Sequence, residues 1–194
     1  VDIDEIQEIT GTRIEKLPRS KVEREDIITE SAKEEDTAFL VSGDPLTATT
    51  HFDIKHRLEK EGVEVEVVHG PSIFTSVAET GLNIYKLGRT VTLPEESEPE
   101  SVTRYISMNQ DMGLHTLVLL DIDYSAGSAL EKLVDMDPEL EEERFVVLER
   151  ANLDSMSISV GSYRELSEQD FGETPHCIIV LGETDHKEEE FLNQ

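Results

Sequence analysis

Basic residues are scarce in this chain. Seventeen lysines and arginines stand against 44 aspartates and glutamates, for a formal charge of −27. A nucleic-acid-binding surface needs Lys and Arg to neutralise phosphate, so the composition argues against that class of partner. Anionic membrane is disfavoured for the same reason. Cysteine is almost absent. Cys177 is the one thiol, so no internal disulfide forms and no oxidising compartment is implied. It lies in the apolar run His176-Cys-Ile-Ile-Val-Leu181 and reads as a small core hydrophobe. No apolar stretch approaches the ~20 residues of a membrane helix, and no signal peptide is seen, so the expected setting is the cytoplasm. The six histidines offer no close pair at zinc spacing, and no metal site is expected. A Gly-x-Ser-x-Gly elbow, a P-loop and a Gly-x-Gly-x-x-Gly fingerprint are all missing.

The 194 residues suffice for one large or two small domains. Hydrophobic content is 37%, low but sufficient because it is concentrated in periodic segments. High net charge favours disorder only where no such pattern exists, and here the acids alternate with β and helical patterns along most of the chain. An acid excess spread this way repels itself in dilute salt and is tolerated when screened, which leads us to expect a halophilic cytoplasm. Strands are expected at 13–17, 37–41, 63–68, 89–93, 115–121, 145–148, 155–160 and 176–181. Several are runs of Val, Ile and Leu with little alternation. Helices are expected at 22–33, 49–61, 73–79, 99–110, 125–135 and 187–193. This alternation predicts an α/β fold with mostly parallel pairing. Two glycines in Thr80-Gly-Leu-Asn-Ile-Tyr-Lys-Leu-Gly88 mark a junction, giving domains 1–80 and 81–194.

The chemistry-bearing candidate is Gly43-Asp44-Pro45, between an apolar strand and the threonines Thr47, Thr49 and Thr50 of a helix start. Gly43 tolerates positive φ and Pro45 ends the ladder. Ligands of open α/β sheets bind at such carboxyl-end turns. A carboxylate fixed there suits a cationic or ribose-bearing ligand, though a helix-capping Asp explains the tripeptide alone equally well. His69-Gly-Pro-Ser-Ile73 is a second turn into a helix. Gly113-Leu-His-Thr-Leu-Val-Leu-Leu-Asp-Ile122 is a core strand ending at an acidic turn, with His115 read as a structural histidine. Val147-Leu-Glu-Arg-Ala151 and Phe171-Gly-Glu-Thr-Pro-His-Cys-Ile-Ile-Val180 complete the set. Spacing alone reveals no chemistry in any of these.

In order and spacing, these segments together with Gly81-Leu-Asn-Ile-Tyr-Lys-Leu-Gly88 resemble the diphthine synthase family. Its members are S-adenosylmethionine (SAM)-dependent methyltransferases of the tetrapyrrole methylase fold. Thr174 stands where that family has a proline. The resemblance implies two α/β domains, the first lacking the family's opening strand and glycine-rich loop, which would precede Val1. It implies SAM as cofactor, contacted by Asp44, Thr47, Ser72, Ile73, Leu120, Ala151 and His176 from both domains. It also implies methylation of the amino group of a modified histidine in translation elongation factor 2, a step of diphthamide formation, by a homodimer. Methyl transfer from a sulfonium needs a neutral amine but no strong general acid, and no catalytic side chain is named. The alternatives are a methyltransferase of tetrapyrrole or corrin precursors on the same fold, and a non-catalytic α/β binding module.

Overall fold

A computed structural model describes residues 3–24 and 26–193. The chain divides into two compact units, Val1–Ser72 and Ile73–Gln194.

Among the described residues, the first unit contains four helices: α1 (Ile3–Thr10), α2 (Arg19–Arg24), α3 (Ile27–Glu34) and α4 (Phe52–Lys60). The helix expected at 22–33 is thus divided between α2 and α3, and Glu25 lies outside the described residues. Helix α4 ends at Lys60 with Glu61 as its cap, and Gly62 follows with a φ of 82° that provides the left-handed turn. Ile28, Ile54 and Leu58 are buried, with Leu17, Val22, Ala32, Phe39, Val63 and Val65 packed on them. The strands expected at 13–17, 37–41 and 63–68 do not form ladders among the described residues. A strand needs a partner with which to exchange N–H···O bonds, and these segments find none there. What survives is the in–out alternation. Val63, Val65 and Val67 are half-buried, while Glu64 and Glu66 are exposed. Leu40 and Val68 face solvent, 58% and 78% exposed.

The second unit carries a five-stranded sheet: β1 (Val91–Leu93), β2 (Thr116–Leu120), β3 (Arg144–Glu149), β4 (Ser157–Ser162) and β5 (His176–Val180). The order is β1-β2-β5-β3-β4. Only β1–β2 is parallel, whereas β2–β5, β5–β3 and β3–β4 are antiparallel. The expectation of mostly parallel pairing is therefore wrong for this unit. Its apolar runs report burial on both faces, which here is achieved by a mixed sheet. Val118, Phe145, Val147, Ile178 and Val180 face a core completed by α6 (Ser101–Asp111) and α7 (Ala126–Met136). Their alternates Leu117, Val146, Leu148, Cys177 and Ile179 face a second core with Val77 and Leu192. The period of two puts successive side chains on opposite faces. Cys177 is buried there, as expected, and burial pushes its thiol up to about 12.

The helix expected at 73–79 is a turn of α-helix, α5 (Ile73–Ser76), followed by 3₁₀ helix at Val77–Thr80. With Val77 fully buried in the second core, this segment groups with the sheet. The C-terminal helix, Asp185-capped at His186–Leu192, is latched by Glu188. One Glu188 oxygen accepts from His115 Nε2 at 3.1 Å and from Asn83 N–H at 2.9 Å. The other accepts from Lys86 Nζ at 2.6 Å and from Asp185 N–H at 2.9 Å. His115 Nδ1 accepts from Gly182 N–H at 3.0 Å, so His115 is a fully satisfied structural histidine. No helix among the described residues is long and apolar enough to cross a membrane.

Candidate functional site

In the first unit, the turn after residue 41 is pinned from within. Asp44 Oδ1 accepts from Leu46 N–H at 2.9 Å and from Thr47 Oγ1 at 2.9 Å. Oδ2 accepts from His69 Nδ1 at 2.7 Å. The Leu46 bond first, then the His69 bond, hold the Asp44 carboxyl at about 2. It is therefore ionised at neutral pH and able only to accept, so His69 must donate from Nδ1. The Asp44 side chain is 8% exposed and that of His69 68%. His51 donates from Nδ1 to the Pro45 carbonyl at 3.1 Å and fixes the other side of the turn.

The second turn touches the first. A Cβ on Gly70 would stand 2.6 Å from the Gly43 carbonyl oxygen, so only glycine permits this approach. Gly43 itself has φ 78°. Asp44 and Thr47 therefore form one constellation with His69-Gly70-Pro71. Thr47 acts here through Asp44, as a donor to its carboxylate. Ser72 is half-buried at the end of this unit.

In the second unit, the register brings three expected residues to one end of the sheet. Leu119 pairs with Cys177 and Glu149 with His176. Leu120, the end of β3 and His176 thus meet at the carboxyl ends of β2 and β3. Ala151 follows β3 in a loop whose neighbours Arg150 and Asn152 both have positive φ, 47° and 64°. Such backbone is costly for L-residues and persists only where surroundings impose it.

The surroundings are visible. Arg150 Nε donates to the Ser155 carbonyl at 3.0 Å. Its Nη1 donates to the carbonyls of Phe171 and Glu173 at 2.8 and 2.7 Å. Its Nη2 donates to the buried Glu149 carboxylate at 2.8 Å. Asn152 Nδ2 donates to Ser76 Oγ at 2.6 Å, tying the loop to α5. Ile73 and Ala151 both pack on the second core.

His176 Nδ1 accepts from the first N–H of α7, Ala126, at 3.1 Å, and Nε2 donates to the Glu173 carbonyl at 2.9 Å. Both ring nitrogens are spent inside the protein, and the ring is buried beside Phe171. Two surface cavities, of about 190 Å³ beside Arg144 and about 480 Å³ beside Arg57, are lined by none of the expected residues. Sequence reasoning gave no role to the His69 or Arg150 side chains. Their partners lie 25 residues away for His69 and up to 23 away for Arg150, and no local pattern signals them.

Within the first unit, the ionised Asp44 carboxylate held at its turn is a group that suits a cationic or ribose-bearing ligand. A sequence profile of the tetrapyrrole (corrin/porphyrin) methylases matches residues 3–166, and the chain belongs to that family. Within it, the similarity narrows. The chain is 36% identical to diphthine synthase of Methanocaldococcus jannaschii, over 97% of this chain and 80% of that protein. It is 38% identical to diphthine synthase of Methanococcus aeolicus, over 98% and 80%. A crystal structure of diphthine synthase superposes with a TM-score of 0.90 at 32% identity, covering all of this chain and 79% of that one.

Proposed function

We propose that this protein is a diphthine synthase. It is a SAM-dependent methyltransferase, and its acceptor is the amino group of the 3-amino-3-carboxypropyl-histidine of translation elongation factor 2. The observation that carries the reading is the length of the likeness. Likeness at 36–38% identity to relatives of that name spans 97–98% of the chain. The related reading, methylation of a tetrapyrrole or corrin precursor, has no comparable support.

Asp44, Thr47, Ser72, Ile73, Leu120, Ala151 and His176 are proposed to hold the cofactor, which supplies an electrophilic methyl group on a sulfonium. An ionised Asp44 suits a cationic or ribose-bearing ligand. Thr47 and His69 keep its oxygens oriented. His176 contributes by fixing the Ala126 end of α7. The protein's part in the reaction is alignment, shielding from water and electrostatics. By the same family likeness the enzyme is expected to be a homodimer. The acidic composition supports a salt-rich cytoplasm as its setting.

Methyl-labelled SAM with purified protein tests the proposal. Label transferred to elongation factor 2 carrying the aminocarboxypropyl-histidine is the expected result. Transfer to a porphyrinoid instead replaces the proposal with the tetrapyrrole reading.

A further inference from the structure

His69 forms with Asp44 a carboxylate–histidine pair, of which the cofactor assignment uses only the Nδ1 bond that orients Asp44. Because the Asp44 oxygens can only accept, the neutral ring must carry its proton on Nδ1, at 2.7 Å from Oδ2. That leaves the Nε2 lone pair directed away from the pair on a side chain that is 68% exposed. The ring is held without being buried. Asp44 is itself immobilised by Leu46 N–H and Thr47 Oγ1, and the Gly70 backbone beside His69 lies against the Gly43 carbonyl. Among the described residues, Asp44 is the charged group in hydrogen-bond contact with His69. His51, on the Pro45 carbonyl, is the other titratable side chain fixing this turn.

The proposed reaction has an unmet chemical need. A primary alkyl amine is protonated at neutral pH and has no lone pair with which to attack. A positioned base within reach, oriented by a carboxylate, meets that need. We propose that His69 is the base of this enzyme, accepting at Nε2 the proton that the acceptor ammonium must lose. This rests on the methyltransferase reading above. The step balances: R–NH₃⁺ and neutral His69 give R–NH₂ and the His69 imidazolium. The freed nitrogen lone pair then forms the N–CH₃ bond as the C–S bond breaks and its electron pair stays on sulfur. His69 returns its proton to water.

The test compares His69→Asn with His69→Ala. The side-chain amide introduced by His69→Asn reproduces the Nδ1 hydrogen bond to Asp44 but has no basic nitrogen, whereas alanine lacks both. The expected result is a His69→Asn protein that binds SAM with wild-type Kd by calorimetry and loses about 10²- to 10⁴-fold in kcat. In the wild type, where His69 takes the proton, kcat rises much less than tenfold per pH unit across the neutral range. In His69→Asn it keeps rising about tenfold per pH unit across the neutral range, because only amine deprotonated by solvent reacts. Independently of turnover, ¹⁵N NMR of the ring in the protein without SAM is expected to show the Nδ1–H tautomer. An Nε2–H tautomer overturns the proposal. So does a His69→Asn protein with wild-type rate and pH profile, which would leave the methyltransferase reading standing. An absence of SAM binding and transfer in the wild type overturns both.

Discussion

Replacing Arg150 by alanine is the sharpest perturbation of the loop that carries Ala151. The guanidinium makes charge-assisted bonds to the carbonyls of Ser155, Phe171 and Glu173 and an ion pair with Glu149. Its side chain is 15% exposed and that of Glu149 6%, so solvent screens the pair little. Truncation leaves the Glu149 carboxylate buried with one remaining hydroxyl donor, Ser159 at 3.3 Å. Removing one partner of a buried pair costs about 3–5 kcal/mol, a large part of the ~5–15 kcal/mol that stabilises a typical domain. Arg150→Ala is therefore expected to lose about 3–5 kcal/mol in urea unfolding followed by circular dichroism, in salt that keeps the wild type folded. Arg150→Lys preserves the charge but not the planar fork, which reaches three carbonyls at once, and falls between. The double variant Arg150→Met with Glu149→Gln removes the orphaned charge and is expected to recover part of the loss. A cost below about 1 kcal/mol for Arg150→Ala, or a double variant no better than the single, would refute the buried-charge argument. SAM affinity of the folded Arg150→Lys protein reads the functional arm and is expected to weaken, because Ala151 and the segment leading to His176 hang on this side chain.

Other perturbations report on other parts of the molecule. Acid should weaken the second unit in two stages. Burial holds the His115 pKa below its ordinary value, so that contribution is present above about pH 6.5 and is lost as pH falls below it. Burial pushes Glu188 up, but bonds from Lys86, Asp185 N–H, Asn83 N–H and His115 outweigh this and hold it at about 2. Its contribution, on the order of 2 kcal/mol after screening, is full above about pH 4.5 and lost as pH falls toward 2. Glu188→Gln should flatten the stability–pH curve below about 4.5, and an unchanged acid limb would count against the latch. With a charge of −27, Tm is expected to climb steadily from about 0.1 M salt, where the Debye length is ~10 Å, into the molar range. A Tm independent of salt would sink the halophilic reading. Asp44→Ala should weaken SAM binding at least tenfold while leaving the second unit's fold intact, and unchanged affinity would remove Asp44 from the proposed site.

Burial was legible in this sequence, and direction was not. Residues 116–120 and 176–180 are apolar runs that correctly announced central strands, yet an unbroken run records only that both faces are covered. Whether β5 runs with β2 or against it depends on the connection between them, and Leu117↔Ile179 packs the same way in either sense. The segments 37–41 and 63–68 carry the β pattern just as clearly, and the alternation of 63–68 survives as alternate burial. A ladder is a property of two chains' backbones, however, and no side-chain pattern guarantees the partner. The site divides along the same line. Gly43-Asp44-Pro45 was readable as a rigid turn because glycine and proline impose local dihedral angles. The His69 pairing was not readable, since a hydrogen bond between residues 25 apart exists only once the two turns touch through Gly43 and Gly70. That contact changes what Asp44 does. Its carboxylate is occupied by Leu46, Thr47 and His69 before any ligand arrives, so its first task is to orient an imidazole. The chemistry of this turn therefore extends from its aspartate to the histidine across from it.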